Sequence, residues 1–210
     1  MSLKLRHKEK SVAPPLENGV YFAVCVGVID LGHQYSPTFK TSTEKLMFMF
    51  EIPSERIEVD GEDKPRWISQ EYTNSDSPKA KLPSVLSAWL GRELSKDDLK
   101  EFDTRTMLGR AATLQVLQSP NKKGEIYANI AAITGLPKGI PAPQPENELM
   151  IFDMDSPDEK VLEKLPEWIQ KKIKASDEYA DSHVGEEILD IDTETGEVLT
   201  APAGSGAVPF

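Results

Sequence analysis

Apolar positions in the first third of the chain follow the period of β-strands. VYFAVCVGVID, residues 20–30, is rich in β-branched side chains and is ended by Gly32, which predicts a long buried strand. EKLMFMFEIP, residues 44–53, alternates between two faces, and a hairpin signal at Asp60 separates it from a third predicted strand, residues 66–75. One face of the second strand carries four apolar side chains: Leu46, Phe48, Phe50 and Ile52.

The pattern then changes to helical spacing. Apolar residues at positions typical of one helix face predict a helix over residues 82–90 that ends at Gly91, followed by a short helix over residues 96–102. Residues 110–119 and 125–137 then predict a hairpin of two strands. The predicted order is three strands, a helix and two strands.

This order is that of an OB-fold barrel, although other small α+β domains could share it. We therefore predict a mainly β protein with helical additions: a five-stranded OB-fold barrel with a helix between strands three and four, a C-terminal helical hairpin and a disordered acidic tail. The predicted divisions are a flexible N-terminus (1–17), the OB-fold domain (18–137), a proline-rich wrap with a short helical hairpin (138–176) and the tail (177–210).

Charge is distributed unevenly along the chain. Up to Leu136 the chain has 18 basic and 18 acidic residues, whereas from Pro137 onward it has 6 and 17, which accounts for the whole net charge of −11. Residues 175–210 hold nine carboxylates and neither lysine nor arginine. This asymmetry predicts a neutral folded module with an acidic interaction tail.

Several classes of function lack support in the sequence. The longest nearly continuous apolar run, residues 20–29, is shorter than the roughly 20 residues that span a bilayer, and no signal region follows the basic N-terminus. We therefore expect a cytoplasmic protein without membrane contact. The one cysteine, Cys25, is expected to be a buried packing thiol, and no catalytic, metal-binding or phosphate-loop motif occurs. The prediction is a non-enzyme without metal or cofactor.

Aromatic and basic residues occur where an OB-fold binds oligonucleotides, namely strands two and three and the loops between strands one and two and between strands four and five. Each ring could instead belong to the core or rim, and Trp67 and Tyr72 have opposite strand parity, so at most one faces the groove. Lysines at a turn tip are also ordinary solubilising residues. The predicted stacking residues are Tyr35, Phe39, Trp67 and Tyr127; the predicted phosphate contacts are Lys40, Arg66, Lys122 and Lys123.

Five segments of the chain carry a resemblance to a known family: DLGHQY (30–35), FEIP (50–53), AWLGRELSKDDLKEFD (88–103), LGRAATLQV (108–116) and EIYANIAAITGLPKG (125–139). They resemble a phage-encoded family of OB-fold single-stranded DNA-binding proteins that act as replication or recombination accessories. The resemblance covers about residues 18–152 and implies strand binding without chemistry on the strand.

The acidic tail resembles the tails of bacterial single-stranded DNA-binding proteins, which end in Pro-Phe and dock replication and repair enzymes. By this resemblance Pro209 and Phe210 are candidates for partner binding. Here GSGAV precedes them and the last acid is Glu197, so the docking should be weaker than in the bacterial proteins. A flexible anionic tail could also compete with nucleic acid for the cationic groove.

These observations predict sequence-nonspecific binding of single-stranded DNA, with protection and hand-off of strands in phage or prophage replication and recombination inside a bacterial host. The expected partners are single-stranded DNA and replication or recombination proteins, and assembly into a homo-oligomer stays open. The alternative is a protein-interaction adaptor with an OB-like barrel and a regulatory acidic tail.

Overall fold

The computed structural model describes residues 14–179 apart from positions 60, 78, 122 and 123, together with the backbone of two short strands in the tail. The strands are β1 (Gly19–Ser36), β2 (Thr41–Val59), β3 (Glu62–Thr73), β4 (Ala111–Pro120), β5 (Ile126–Thr134), β6 (Met150–Phe152), β7 (Asp190–Ile191) and β8 (Val198–Leu199). The helices are α1 (Lys81–Leu90), α2 (Lys96–Lys100), α3 (Glu159–Lys164) and α4 (Glu167–Lys174), with a 3-10 turn at Thr104–Met107.

Five antiparallel strands form one curled sheet in the order β3-β2-β1-β4-β5. The two edge strands β3 and β5 approach each other, so the sheet has the form of a half-barrel. The prediction of a mainly β, barrel-like fold is therefore confirmed. A sixth strand, β6, pairs in parallel with the middle of β1, and the sequence pattern did not predict it. β7 and β8 form a separate two-stranded ribbon.

The inner face of the curled sheet holds one hydrophobic core. As the alternation of β2 predicts, Phe48 and Phe50 are fully buried there. The buried Trp89 of α1 packs edge-on against Phe48, with ring centroids 5.5 Å apart, and its indole Nε1 donates a 2.8 Å hydrogen bond to the carbonyl of Ala111. Helix α1 thus ties the inner core to the start of β4. It ends at Gly91, whose left-handed backbone (φ 68°) suits glycine.

The middle of the outer face of β1 and β2 is also buried, whereas Val20 and Phe22 at the start of β1 are exposed. β6, α3 and α4 pack over the buried part and form a second core with apolar side chains of both strands. This cover explains why β1 is continuously apolar between residues 23 and 29, because a strand segment covered on both faces has no solvent-facing positions. The second core contains Val24, Val26, Ile29, Leu31, Met47, Met49, Met150, Phe152, Leu162, Leu165, Ile169 and Ile173.

The first two strands are longer than predicted. Gly32 does not end β1 but lies at an irregularity in the pairing between β1 and β2, with φ 62°. Beyond it the two strands continue to pair as a polar ribbon up to Ser36 and Thr41. The apolar pattern could not indicate this extension, because both faces of the ribbon carry polar side chains.

Both ends of the described segment pack onto the sheet. Leu16 is buried in the inner core, and the Leu16 carbonyl accepts a 3.0 Å hydrogen bond from Gln118 Nε2. Ser176 is fully buried, and its hydroxyl donates to the carbonyl of Ile173. Leu16 and Ser176 are therefore both part of the packed structure.

Candidate nucleic-acid interface

The turn between β1 and β2 presents two aromatic rings to solvent. Tyr35 is 62% exposed and Phe39 is 77% exposed. Lys40, which is exposed beside them, has a left-handed backbone with φ 51°, and its N–H donates a 2.7 Å hydrogen bond to the Ser36 carbonyl. Three of the predicted contact residues thus lie together on one tight turn.

The two predicted contacts on β3 point to opposite faces of the sheet. Arg66 shares its face with the buried Tyr72 of the inner core, and its Nη2 donates a 2.5 Å hydrogen bond to the Pro14 carbonyl. Trp67 lies on the outer face and packs against the second core. Its indole Nε1 is buried and has no hydrogen-bond partner among the described residues. The two side chains therefore leave β3 on opposite faces, although both residues border one pocket at this end of the sheet.

Glu51, the cross-strand partner of Trp67, is fully buried on the outer face. Its carboxylate accepts hydrogen bonds from the N–H groups of Glu146 and Asn147, at 2.7 and 3.1 Å, and from Asn147 Nδ2 at 2.6 Å. Buried charges need such partners, because desolvation otherwise costs several kcal/mol. Glu51 thus fixes the segment that crosses the sheet before β6.

The outer face of β2 is consequently closed to a ligand in this structure. Met47, Met49 and Glu51 are all buried, and Ile169 and Ile173 of α4 pack in the same core as the two methionines. A pocket of about 500 Å³ remains where β3 meets the start of α4, with Trp67, Asn147 and Pro166 in its lining. Access to Trp67 from solvent is through this pocket.

Tyr127 lies at the start of β5, opposite Ser119, and is 44% exposed. It borders a surface depression together with Asn121, Glu125 and Ile126. The predicted contacts Lys122 and Lys123 belong to the neighbouring turn and lie outside the described residues, as do Pro209 and Phe210. Tyr127 therefore lies on the β4–β5 hairpin and not on the β1–β2 turn.

Helix α4 adds an aromatic and basic surface that the sequence analysis missed. Trp168 is 47% exposed, and the Nζ of Lys172 lies 5.9 Å from the centroid of its ring. Lys172 also pairs with Glu71 of β3, and its carbonyl accepts a 3.0 Å hydrogen bond from Gln34 Nε2 of β1. The available signal was a tryptophan followed by lysines at the third, fourth and sixth positions in LPEWIQKKIK.

The last described residues contact the base of the β1–β2 hairpin. Glu178 accepts a 2.8 Å hydrogen bond from the His33 N–H and pairs with His33 Nδ1, while Ser42 Oγ donates to Asp177 at 3.0 Å. The hydrogen bond to Glu178 raises the pKa of His33. Burial acts to raise the pKa of Glu178, but the hydrogen bonds from His33 outweigh it and lower that pKa. Both shifts favour the charged pair.

Ionisable side chains also line a cleft of about 360 Å³ beside β6 and the 3-10 turn. Burial raises the pKa of Asp30 there, whereas Arg105 pairs with Asp103 and Asp153. Cys25 is buried as predicted, and desolvation raises its pKa to about 12, so it carries almost no thiolate at neutral pH.

The described residues contain no group of three or more histidine, cysteine, aspartate or glutamate side chains that could hold a metal ion. None of the helices in this part of the chain is long and apolar enough to cross a membrane. Compared with known proteins, the chain matches no model of a protein family and no characterised protein.

Proposed function

We propose that this protein binds single-stranded DNA with little sequence preference, and that it protects and hands off strands in phage replication or recombination. The observation that carries the proposal is the pair of exposed rings, Tyr35 and Phe39, beside Lys40 on the β1–β2 turn of a curled five-stranded sheet. In OB-folds this loop contacts oligonucleotides, and unstacked bases pack on exposed aromatic rings.

Two cations on the sheet suit a phosphate backbone: Lys40 on the β1–β2 turn, and Arg66 towards the opposite end of β2, where it pairs with Ile52. Among the described residues, neither Lys40 nor Arg66 has an ion-pair partner, so both charges are available to phosphates in an otherwise neutral module. Lys122, Lys123 and Tyr127 extend the proposed contact to the β4–β5 side. Binding through lysine and arginine should weaken steeply as salt rises, because counterions must be displaced.

The exposed position of Phe39 also makes it a better test residue than Trp67. Alanine at Trp67 would open a cavity against the second core, so lost binding could follow from lost packing. Phe39→Ala removes a ring that is mostly in solvent. A matched control is Ile140→Ala, because Ile140 is another exposed apolar residue and lies in the connection after β5.

The experiment is fluorescence anisotropy of labelled oligo-dT, duplex DNA and single-stranded RNA, titrated with full-length protein at two salt concentrations. We expect oligo-dT to bind more tightly than duplex and to lose affinity as salt rises. Phe39→Ala should cost about 1–3 kcal/mol of binding, the contribution of one stacked base, and Ile140→Ala should leave affinity unchanged. No binding to oligo-dT even at low salt would overturn the proposal.

A second candidate function is a protein-interaction adaptor, which a different surface favours. The outer side of the sheet at β1 and β4 exposes Val20, Phe22 and Leu117, and the sequences of β4 and β5 contain no charged residue. An uncharged face with exposed apolar side chains is typical of protein contacts. The adaptor predicts that none of the three oligonucleotides binds at low salt, which the same titration decides.

A further inference from the structure

We infer that the exposed side of α4 is a second contact surface for the DNA strand, with Trp168 as a stacking residue and Lys171 and Lys174 as phosphate contacts. This inference rests on the proposed function and names residues outside those predicted from the sequence. It follows from where the chain places α4, because that helix covers the sheet face on which an OB-fold would otherwise hold bases.

The orientation of α4 separates a buried side from a binding side. Ile169 and Ile173 are fully buried against the sheet. Trp168, Lys171 and Lys174 follow one another at intervals of three residues, about 4.5 Å along the helix axis per step, and all three are exposed. The ring and the two charges therefore form a continuous row on the solvent side of the helix.

The charge of this row is unusual for its part of the chain. Residues 159–174 contain five lysines and three glutamates, a net charge of +2, although the chain from Pro137 onward has a net charge of −11. Within the described part of the chain Lys171 and Lys174 have no ion-pair partner, whereas Lys172 pairs with Glu71. Glu167 is the one acidic side chain in the first turn of α4. The two outer lysines are thus available to bind phosphates.

The row also connects the other candidate contacts. At the start of α4, Pro166 lines the pocket that gives access to Trp67. Towards the end of the helix, the carbonyl of Lys172 bonds to Gln34, the neighbour of Tyr35 in β1. A strand that contacts the rings of the β1–β2 turn could therefore continue along α4 towards the β3 pocket. Aromatic rings interleaved with lysines are the arrangement that single-stranded nucleic acids recognise.

The test compares four variants with wild-type protein in titrations of labelled oligo-dT. Trp168→Ala should weaken binding about 5- to 150-fold, the effect of one lost stacked base, whereas Trp168→Phe should restore most of the affinity. Lys171→Glu with Lys174→Glu should weaken binding and flatten its salt dependence. Lys96→Glu with Lys138→Glu is the matched control, because it makes the same change in net charge at exposed lysines of α2 and of the turn after β5.

Intrinsic fluorescence gives a second readout that a structural role would not change. Trp89 is buried in the inner core and Trp67 packs on the second core, so Trp168 is the most exposed tryptophan. We expect oligo-dT to quench the tryptophan emission of wild-type protein and to quench Trp168→Phe much less, while both bind with similar affinity.

The outcomes separate the inference from the proposed function. If wild-type protein does not bind oligo-dT, both are overturned. The α4 surface is refuted, and the proposed function stands, if wild-type protein binds oligo-dT and Trp168→Ala binds equally well. The same conclusion follows if the control pair Lys96→Glu with Lys138→Glu weakens binding as much as Lys171→Glu with Lys174→Glu. Weakened binding with unchanged thermal melting of Trp168→Ala and recovery in Trp168→Phe would support the surface.

Discussion

Replacing Glu51 tests whether one buried carboxylate holds the helical cover on the sheet. Glu51→Ala removes an acceptor that binds the N–H groups of Glu146 and Asn147 and the Asn147 amide. Hydrogen bonds to a charged group contribute about 1.5–3 kcal/mol each, but Glu146 is exposed and water can replace part of the loss. We therefore expect Glu51→Ala to lower the free energy of unfolding by about 3–5 kcal/mol, less than the sum of three such bonds because water replaces part of the loss.

Two variants separate the hydrogen bonds from the volume of the side chain. Glu51→Gln keeps the shape and one acceptor oxygen, so it should lose about half as much as alanine. Asn147→Ala removes one of the three bonds and should cost about 1–2 kcal/mol. The two changes share a partner, so their effects should not add in the double variant.

The assay is urea denaturation followed by tryptophan emission, because Trp67 is the cross-strand neighbour of Glu51 and reports on the cover directly. A loss below about 1 kcal/mol in Glu51→Ala would refute the reasoning, since surface changes have effects of that size. Additive effects of Glu51→Gln and Asn147→Ala would also contradict it.

Two further predictions concern the chain beyond α4. The pKa of His33 is raised in the folded state, so its contact with Glu178 should stabilise the fold fully below pH about 6.5 and lose this effect as pH rises through the raised value. In urea denaturation, His33→Ala should therefore approach wild-type stability at alkaline pH. A difference in stability that stays constant with pH would contradict this. Deleting residues 180–210 removes seven carboxylates and keeps Glu178. The folded part should therefore melt as before, and it should bind oligo-dT more tightly at low salt. Unchanged affinity at low salt would exclude competition by the tail.

The inner core could be predicted from the sequence because its elements have clear local signals. The alternation in β2 indicates which residues face the core, and Gly91 marks the end of α1 at a left-handed residue. These signals depend on neighbours a few positions apart. Local pattern therefore determines both the strand face and the helix boundary.

The covered outer face could not be predicted from β2 alone. Met47, Met49 and Glu51 alternate with the core residues and resemble a solvent-facing set, yet all three are buried. No cover was predicted, although two signals were available in the sequence: the apolar residues of β1 on both faces, and the apolar stripe of α3 and α4, which needs a surface to pack on. The pairing of β6 with β1 depends on contacts between residues more than 100 positions apart, which no local pattern encodes.

The cover changes which residues a ligand can reach while leaving the barrel-like sheet intact. On an uncovered sheet, Trp67 and the outer positions of β2 would face solvent. Here α3 and α4 cover that face, and α4 exposes Trp168 and two lysines on its outer side. A hydrogen bond between Gln34 and the carbonyl of Lys172 joins β1 to α4. Gln34 is the neighbour of Tyr35, and Lys172 lies on the same helix as Trp168. The position of α4 relative to the turn therefore depends on this contact and on the packing of the helix against the sheet. Under the proposed function, loosening the contact of α4 with β1 should weaken binding of oligo-dT even when the barrel itself remains folded.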